Sequence, residues 1–288
     1  MTKKFRDFLK LIRLNQAIAI WLLLLPCFMA IILIFKDDKN IDIFNYIKTT
    51  ILFTIGGFFA RSAGCIINDL IDYKIDRKVS RTKDRPIASG KIKISSAIIY
   101  LAVLLIFCLI ILLQFNTKTI FSGFAVIFLI ACYPLMKRFT CFPQIFLGIT
   151  FNFGIIMASF ALTKSVDGKI IILYLATIIW TFFYDTLYAF QDLNDDIKIG
   201  VKSSAIYLAK NNPKKSLSKI SLIINLLFIM LGVVQEFNLN YYLAIALCQI
   251  IMLLQIHKCD LKSSEDCLKF FKFNWVFGLI YLFAIIIG

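Results

Sequence analysis

Nine apolar stretches, each near the ~20 residues an α-helix needs to cross ~30 Å of hydrocarbon, dominate this 288-residue sequence. They fall at 17–35, 44–67, 96–115, 119–136, 143–162, 170–190, 216–234, 241–256 and 273–287. The runs are continuous rather than alternating, which suits helices and not outer-membrane strands. Short polar joints such as Asn116-Thr117-Lys118 and Val166-Asp167-Gly168 separate several of them. The expected fold is therefore all-α: a polytopic membrane bundle of about nine transmembrane helices forming one domain over 1–288. With 60% apolar residues, against roughly 45–50% in ordinary soluble domains, a water-soluble globule is excluded. Asp7, Lys10 and Arg13 interrupt the basic start before the first apolar run, so no cleaved signal is expected.

The formal net charge is +15, yet only 17% of residues are charged. That scarcity excludes a polyelectrolyte that wraps nucleic acid and places the cations at the ends of apolar segments. Most of the 32 Lys and Arg lie in the N-terminal arm and the even-numbered loops, around Lys74–Lys93, Lys137-Arg138, Lys198–Lys215 and Lys258–Lys272. By the positive-inside rule the N-terminus is expected in the cytoplasm and the C-terminus on the far side.

The acidic residues are more telling. Of the 17 Asp and Glu, Asp69, Asp72, Asp76 and Asp84 cluster after the second helix, and Asp185, Asp192, Asp195 and Asp196 at the end of the sixth. By helix count both clusters lie at the same membrane face. Asn68-Asp69-Leu70-Ile71-Asp72 and Gln191-Asp192-Leu193-Asn194-Asp195 share one pattern, which makes an internal parallel repeat with a site between its halves plausible.

Spacings of three and four put Asp69, Asp72 and Asp76 on one helix face. Such carboxylates either pair with neighbours such as Lys74, Arg77 or Lys78 at a solvated helix end, or hold a cation. Ionisable groups at membrane depth are costly, which favours the functional reading. An all-oxygen set of Asp and Asn suits a hard cation, and Mg²⁺ is usually held by one or two carboxylates plus waters and substrate phosphates. Two facing clusters could clamp a diphosphate in that way. No Gly-rich phosphate loop is present. Instead Arg77, Lys78, Arg81, Lys83 and Arg85, then Lys137, Arg138 and Lys202, accompany the carboxylates. Lys83, Lys91 and Lys93 are read as lipid-headgroup charges of the bilayer surface; others of the set could offset the charge of a leaving diphosphate.

The stretch from Cys65 through Asn68, Asp69, Asp72, Asp76, Arg81-Thr82, Arg85-Pro86 and Ala88-Ser89-Gly90 resembles the first aspartate motif of the UbiA superfamily of intramembrane aromatic prenyltransferases. Tyr133-Pro134-Leu135-Met136-Lys137-Arg138, then Pro143-Gln144, Gly148 and Asn152, is similar to the middle of that family. Tyr184-Asp185-Thr186, Tyr188-Ala189, Gln191-Asp192, Asp195-Asp196 and Gly200-Val201-Lys202-Ser203 resemble its second aspartate motif. The resemblance runs from about Arg13 to the loop after the sixth helix; the last three helices match in hydropathy alone. Phe190, Leu193-Asn194 and Asn15-Gln16-Ala17 depart from the hydroxybenzoate members' pattern. Ordinary helix packing is expected for Phe190.

The resemblance implies Mg²⁺-dependent transfer of a polyprenyl chain from its diphosphate to the ring carbon ortho to the hydroxyl of 4-hydroxybenzoate, a step of ubiquinone biosynthesis. It implies that Asn68, Asp69, Asp72, Asp76, Asp192 and Asp196 hold Mg²⁺-diphosphate. Arg81, Arg85 and Lys137 would take up diphosphate charge, with Tyr133, Asp185 and Lys202 in the same pocket. Arg61, seven residues before Asn68 on the same helix face, is the candidate for the acceptor's carboxylate, since a guanidinium can grip a planar carboxylate bidentately. Asp185, seven residues before Asp192, is expected on the same helix face. A sister enzyme acting on a naphthoate or protohaem, and a non-enzymatic transporter, remain alternative readings. The expected location is the bacterial inner membrane with the active site facing the cytoplasm, and no obligate protein partner is expected. The eight scattered Cys show no Cys-x-x-Cys spacing and His257 no metal partner, so free thiols and an interfacial histidine are expected.

Overall fold

The computed structural model describes residues 3–14, 18–37 and 42–288, with the side chains of Lys137, Arg138 and Ile199 outside the description. The sequence-based expectations for Lys137, Arg138 and Asn15-Gln16-Ala17 thus lie outside the described residues. Thirteen α-helices follow in order: α1 (Lys3–Leu11), α2 (Ile18–Asp37), α3 (Ile43–Asp76), α4 (Ile94–Leu112), α5 (Thr117–Phe139), α6 (Pro143–Phe151), α7 (Gly154–Thr163), α8 (Gly168–Ala189), α9 (Leu193–Ile199), α10 (Ser204–Ala209), α11 (Pro213–Val234), α12 (Leu239–Lys258) and α13 (Ser264–Ile287). Among the described residues nine spans are long and apolar enough to cross a bilayer, as expected, and the chain is an integral membrane protein.

Polar joints start the helices by capping their free N–H groups. Asn116 accepts from Thr119 N at 3.1 Å, Asp167 from Ile170 N at 3.2 Å and Asn212 from Lys215 N at 3.1 Å. Pro143 and Pro213 stand at first helical positions, where a missing N–H costs nothing. α8 is the central post: Leu173, Trp180, Phe183 and Leu187 are fully buried among α2, α6, α11 and α13. α4 is peripheral, and its exposed Ile98, Ile99, Val103, Ile106 and Ile110 face lipid.

α3 continues nine residues beyond the apolar stretch ending at Ile67, so the first aspartate cluster is helical, as its spacing predicts. Two departures from the apolar-run reading matter for the site. The fifth span is two helices, because the buried Asn152 side chain bonds Gly148 O at 2.8 Å, Thr177 O at 3.1 Å and Thr181 Oγ1 at 2.8 Å, tying the break to α8. The sixth span leaves the α-helical register at Phe190–Asp192, a 3₁₀ turn before α9. A turn of tighter pitch thus lies between Asp185 and Asp192, both of which line the same cavity.

Candidate active site

The segment after α3 is anchored before it can present its arginines. Ile87 and Ile92 pack with Leu11, Ile12 and Ile66 in a small second core. Arg77 Nε donates to Ala88 O at 2.8 Å, Thr82 Oγ1 to Asp76 O at 3.0 Å, and Gly90, at φ +75°, turns the chain back toward α4. Held in this way, the segment leans across to the second aspartate cluster. Arg81 Nε and Nη2 grip the two oxygens of Asp192 at 2.9 and 2.5 Å, and Nη1 donates to Tyr188 Oη at 2.7 Å. Ser80 N donates to Asp195 Oδ2 at 2.9 Å. The two clusters, far apart in sequence, thus meet at one end of the bundle.

A cavity of about 470 Å³ opens between them. Asn68, Asp72 and Asp76 of α3, Arg81 and Arg85 of the following segment, Tyr133 of α5, Asp185 of α8, and Asp192, Asp196 and Lys202 all line it. Arg61 lines it as well, 8% exposed, with Nη1 donating to Ile12 O at 3.2 Å and Arg13 O at 3.4 Å. From this polar end the lining follows α3 back to Leu52, about 36 Å at 1.5 Å per residue. Beyond Arg61, toward Leu52, its α3 wall is apolar, and Leu22, Phe53, Leu105, Ile127 and Ile130 are among the lining residues.

Asp69 is placed differently from the other sequence candidates. It is 2% exposed, does not line the cavity, and accepts from Arg13 Nη2 at 2.5 Å and Arg85 Nη1 at 3.3 Å. Arg85 also reaches Asp76 Oδ2 at 2.8 Å. Arg13, read from sequence as an orientation charge, is thus a lining residue of the site. What distinguishes it from Lys3 or Lys4 is the preceding pair Leu11-Ile12, which is buried and fixes the chain end, and a left-handed φ of +53°. Gln144, also a lining residue, was noticed in sequence as part of a motif without a role; its Oε1 accepts from Ser204 N at 3.2 Å and ties α6 to α10. Phe190 is buried in the main core and is not in the cavity wall, as expected from packing.

Burial disfavours the Arg81 charge, but the two-pronged bond to Asp192 beside Tyr188 outweighs it and raises its pKa above the usual arginine range. The guanidinium therefore stays charged at any working pH. For a divalent cation, the donor set is consistent: the cavity-lining acids and Asn68 offer only oxygen. Among the described residues no three acidic, His or Cys side chains converge on one point. That dispersion fits a metal taking one or two carboxylates and completing its shell with phosphate oxygens and water; it does not fit an all-protein cage.

A model of the UbiA prenyltransferase family matches residues 23–278. The mitochondrial 4-hydroxybenzoate polyprenyltransferase of Dictyostelium discoideum is 40% identical over 286 residues, 98% of this chain and 60% of that protein's length. The 4-hydroxybenzoate octaprenyltransferase of Francisella tularensis subsp. novicida (strain U112) is 35% identical over 285 residues, 99% of this chain and 98% of that one. A UbiA homolog from Archaeoglobus fulgidus, solved bound to DMAPP and Mg²⁺, has the same fold, with a TM-score of 0.67 at 18% identity over 97% of this chain and 99% of that one. The similarity continues through α11 and α12 into α13, beyond the extent the motifs alone indicated.

Proposed function

The chain belongs to the UbiA prenyltransferase family, and from that premise we propose that it transfers a polyprenyl chain from its diphosphate to the ring carbon ortho to the hydroxyl of 4-hydroxybenzoate. The observation that carries this reading is the meeting of two carboxylate clusters and two arginines at the mouth of a long apolar cavity. The diphosphate belongs at the polar end and the prenyl tail along α3. Relatives that bear hydroxybenzoate polyprenyltransferase names, one of them matched over 98% of its length, support the acceptor.

Asn68, Asp72, Asp76, Asp192 and Asp196 would hold Mg²⁺ with the diphosphate; a divalent metal is supported by the relative solved with Mg²⁺. Bound there, the ion supplies Lewis-acid neutralisation of the phosphate oxygens. Arg81, Arg85 and Lys202 take up the charge that develops as the allylic C–O bond breaks. Asp69 acts through Arg85 and Arg13, fixing the guanidinium that faces the diphosphate. Arg61 binds the acceptor's carboxylate and so orients the ring, while Tyr133 bounds the same space. The apolar walls keep water from the allylic cation until the ring attacks it. Tyr and Phe faces add cation–π attraction of about 0.5–2 kcal/mol each. A cavity carboxylate then accepts the ring proton. We place the polar end at the cytoplasmic face of a bacterial inner membrane, on the distribution of Lys and Arg among the loops.

The test is incubation of the membrane protein with a polyprenyl diphosphate, Mg²⁺ and either 4-hydroxybenzoate or a hydroxynaphthoate, read by product mass. Prenylated hydroxybenzoate is expected. Product from the naphthoate alone would overturn the acceptor assignment while leaving the transferase reading in place.

A further inference from the structure

At the end of the bundle away from the aspartates, a second cavity of about 180 Å³ opens between the start of α3, the α4–α5 joint and the end of α7. Lys48, Thr49, Gln114 and Lys164 are in its wall, over a floor of Leu52 and Phe115. The same two apolar side chains line the main cavity and so separate the spaces. Lys48 precedes Asp72 by 24 residues on α3, which is about 36 Å of helix, close to the ~30 Å hydrocarbon thickness. The niche therefore sits at the opposite membrane–water interface.

Among the described residues its positive charge meets no carboxylate. Asp37 and Asp167 both pair with Lys169, and Asp42 accepts from Phe44 N at the start of α3. Among the described residues neither Lys48 nor Lys164 has a carboxylate partner. Lys118 Nζ donates to Lys164 O at 2.7 Å, which brings a third ammonium to the rim. Thr49 is the independent sign of a ligand. It is 3% exposed and in the cavity wall, yet among the described residues its hydroxyl has no hydrogen-bond partner, whereas Thr50 and Thr54 on the same helix bond back to Tyr46 O at 2.9 Å and Thr50 O at 2.7 Å. The hydroxyl is thus left to bond whatever fills the cavity, whose wall also carries the two lysines.

We propose that this niche binds the phosphoryl group of a phosphate-bearing ligand, with a phospholipid headgroup of that leaflet as its source. Lys48 and Lys164 neutralise the phosphoryl oxygens and Thr49 donates to one of them. The acyl chains lie on the lipid-facing Ile47 and Ile51 of α3 and on Ile110 of α4 and the adjoining Leu113, all about half exposed. Basic pockets between membrane helices recognise lipid headgroups by this chemistry.

The full chain, purified in detergent, is compared by native mass spectrometry in phosphatidylglycerol and in diacylglycerol, which lacks the phosphate. Wild type is expected to retain phosphatidylglycerol, and Lys48→Gln with Lys164→Asn to lose it by roughly fivefold per lysine. Asn tolerates the left-handed backbone of Lys164, at φ +59°, and Lys48→Arg should retain the lipid. Prenyl transfer should be unchanged in all of them. If inorganic phosphate displaces the lipid and stabilises lipid-free wild type but not the double variant, the site stands and free phosphate is its occupant; if it does neither, the headgroup is. Equal retention of phosphatidylglycerol and diacylglycerol by wild type, or equal phosphatidylglycerol retention by wild type and the double variant, overturns the proposal.

Discussion

Arg81 concentrates the chemistry of the site in one side chain. It crosses from the segment after α3 to Asp192, so it both joins the two clusters and presents a fixed positive charge to the cavity. Arg81→Ala should lower kcat/KM by about 10²–10³, the scale of losing one donor to a developing anion. Arg81→Lys should recover only part of this, because a point charge cannot reproduce the two-pronged grip; full recovery would show that charge alone suffices. Asp69 gives a second test at this scale. Asp69→Asn and Arg13→Gln break the same ion pair, so each should slow transfer and the double variant should be little worse than either. Multiplying losses in steady-state kinetics would show the two acting separately. The arginines and aspartates of the motifs were legible in the sequence because charge is scarce in so apolar a chain. Arg13 was not, since the same residue type at the same membrane face also sets orientation; its partner, 56 positions away, appears only in the fold.

At the scale of elements, the lengths of the apolar runs predicted the spans, because hydrocarbon thickness leaves helices little choice. They did not predict how those helices break. Asn152, noted in the sequence only as part of a motif inside the run 143–162, turns its amide to acceptors on α6 and α8 where the helix stops. The aspartates of α3 were read correctly: their spacings of three and four predicted one helix face, and the helix runs on to Asp76, with Asp76 paired to Arg85. Gly148 is where α6 meets α8 backbone to backbone. A Cβ there would stand 2.7 Å from Ile178 O and 3.1 Å from Ile178 Cα. Gly148→Ala should therefore destabilise the protein by about 1–3 kcal/mol, seen as a lower thermal midpoint in detergent. A wild-type midpoint would mean that the helices separate freely. Gly64, in the cavity wall, has room: its Cβ would meet only Ile130 Cγ2 at 3.8 Å. Gly64→Leu should leave the midpoint unchanged and raise KM for long prenyl diphosphates more than for dimethylallyl diphosphate. A uniform rise across donors would argue against a tail lying along α3.

For the whole molecule, the proposed cytoplasmic placement of the polar end rests on the basic loops and on an odd number of candidate spans, nine among the described residues. A phosphatase reporter fused after Gly288 should be active outside the cytoplasm and a fluorescent reporter there dark; the reverse would place the polar end of the cavity on the far side. The same architecture explains why so few polar residues suffice. The bundle excludes water by its apolar bulk, and the charged segments after α3 and α8 close over one end, where the donor's diphosphate can enter while its tail stays in apolar surroundings. The central claim is that aspartates from both segments hold one diphosphate together. It is tested most directly by measuring Mg²⁺-dependent prenyl transfer to 4-hydroxybenzoate with Asp72→Asn, Asp196→Asn and the pair combined, in protein of unchanged thermal midpoint. Each single variant is expected to lose at least about 10²-fold in kcat/KM and the combination to make no detectable product; transfer by the combined variant at the wild-type rate would contradict the account.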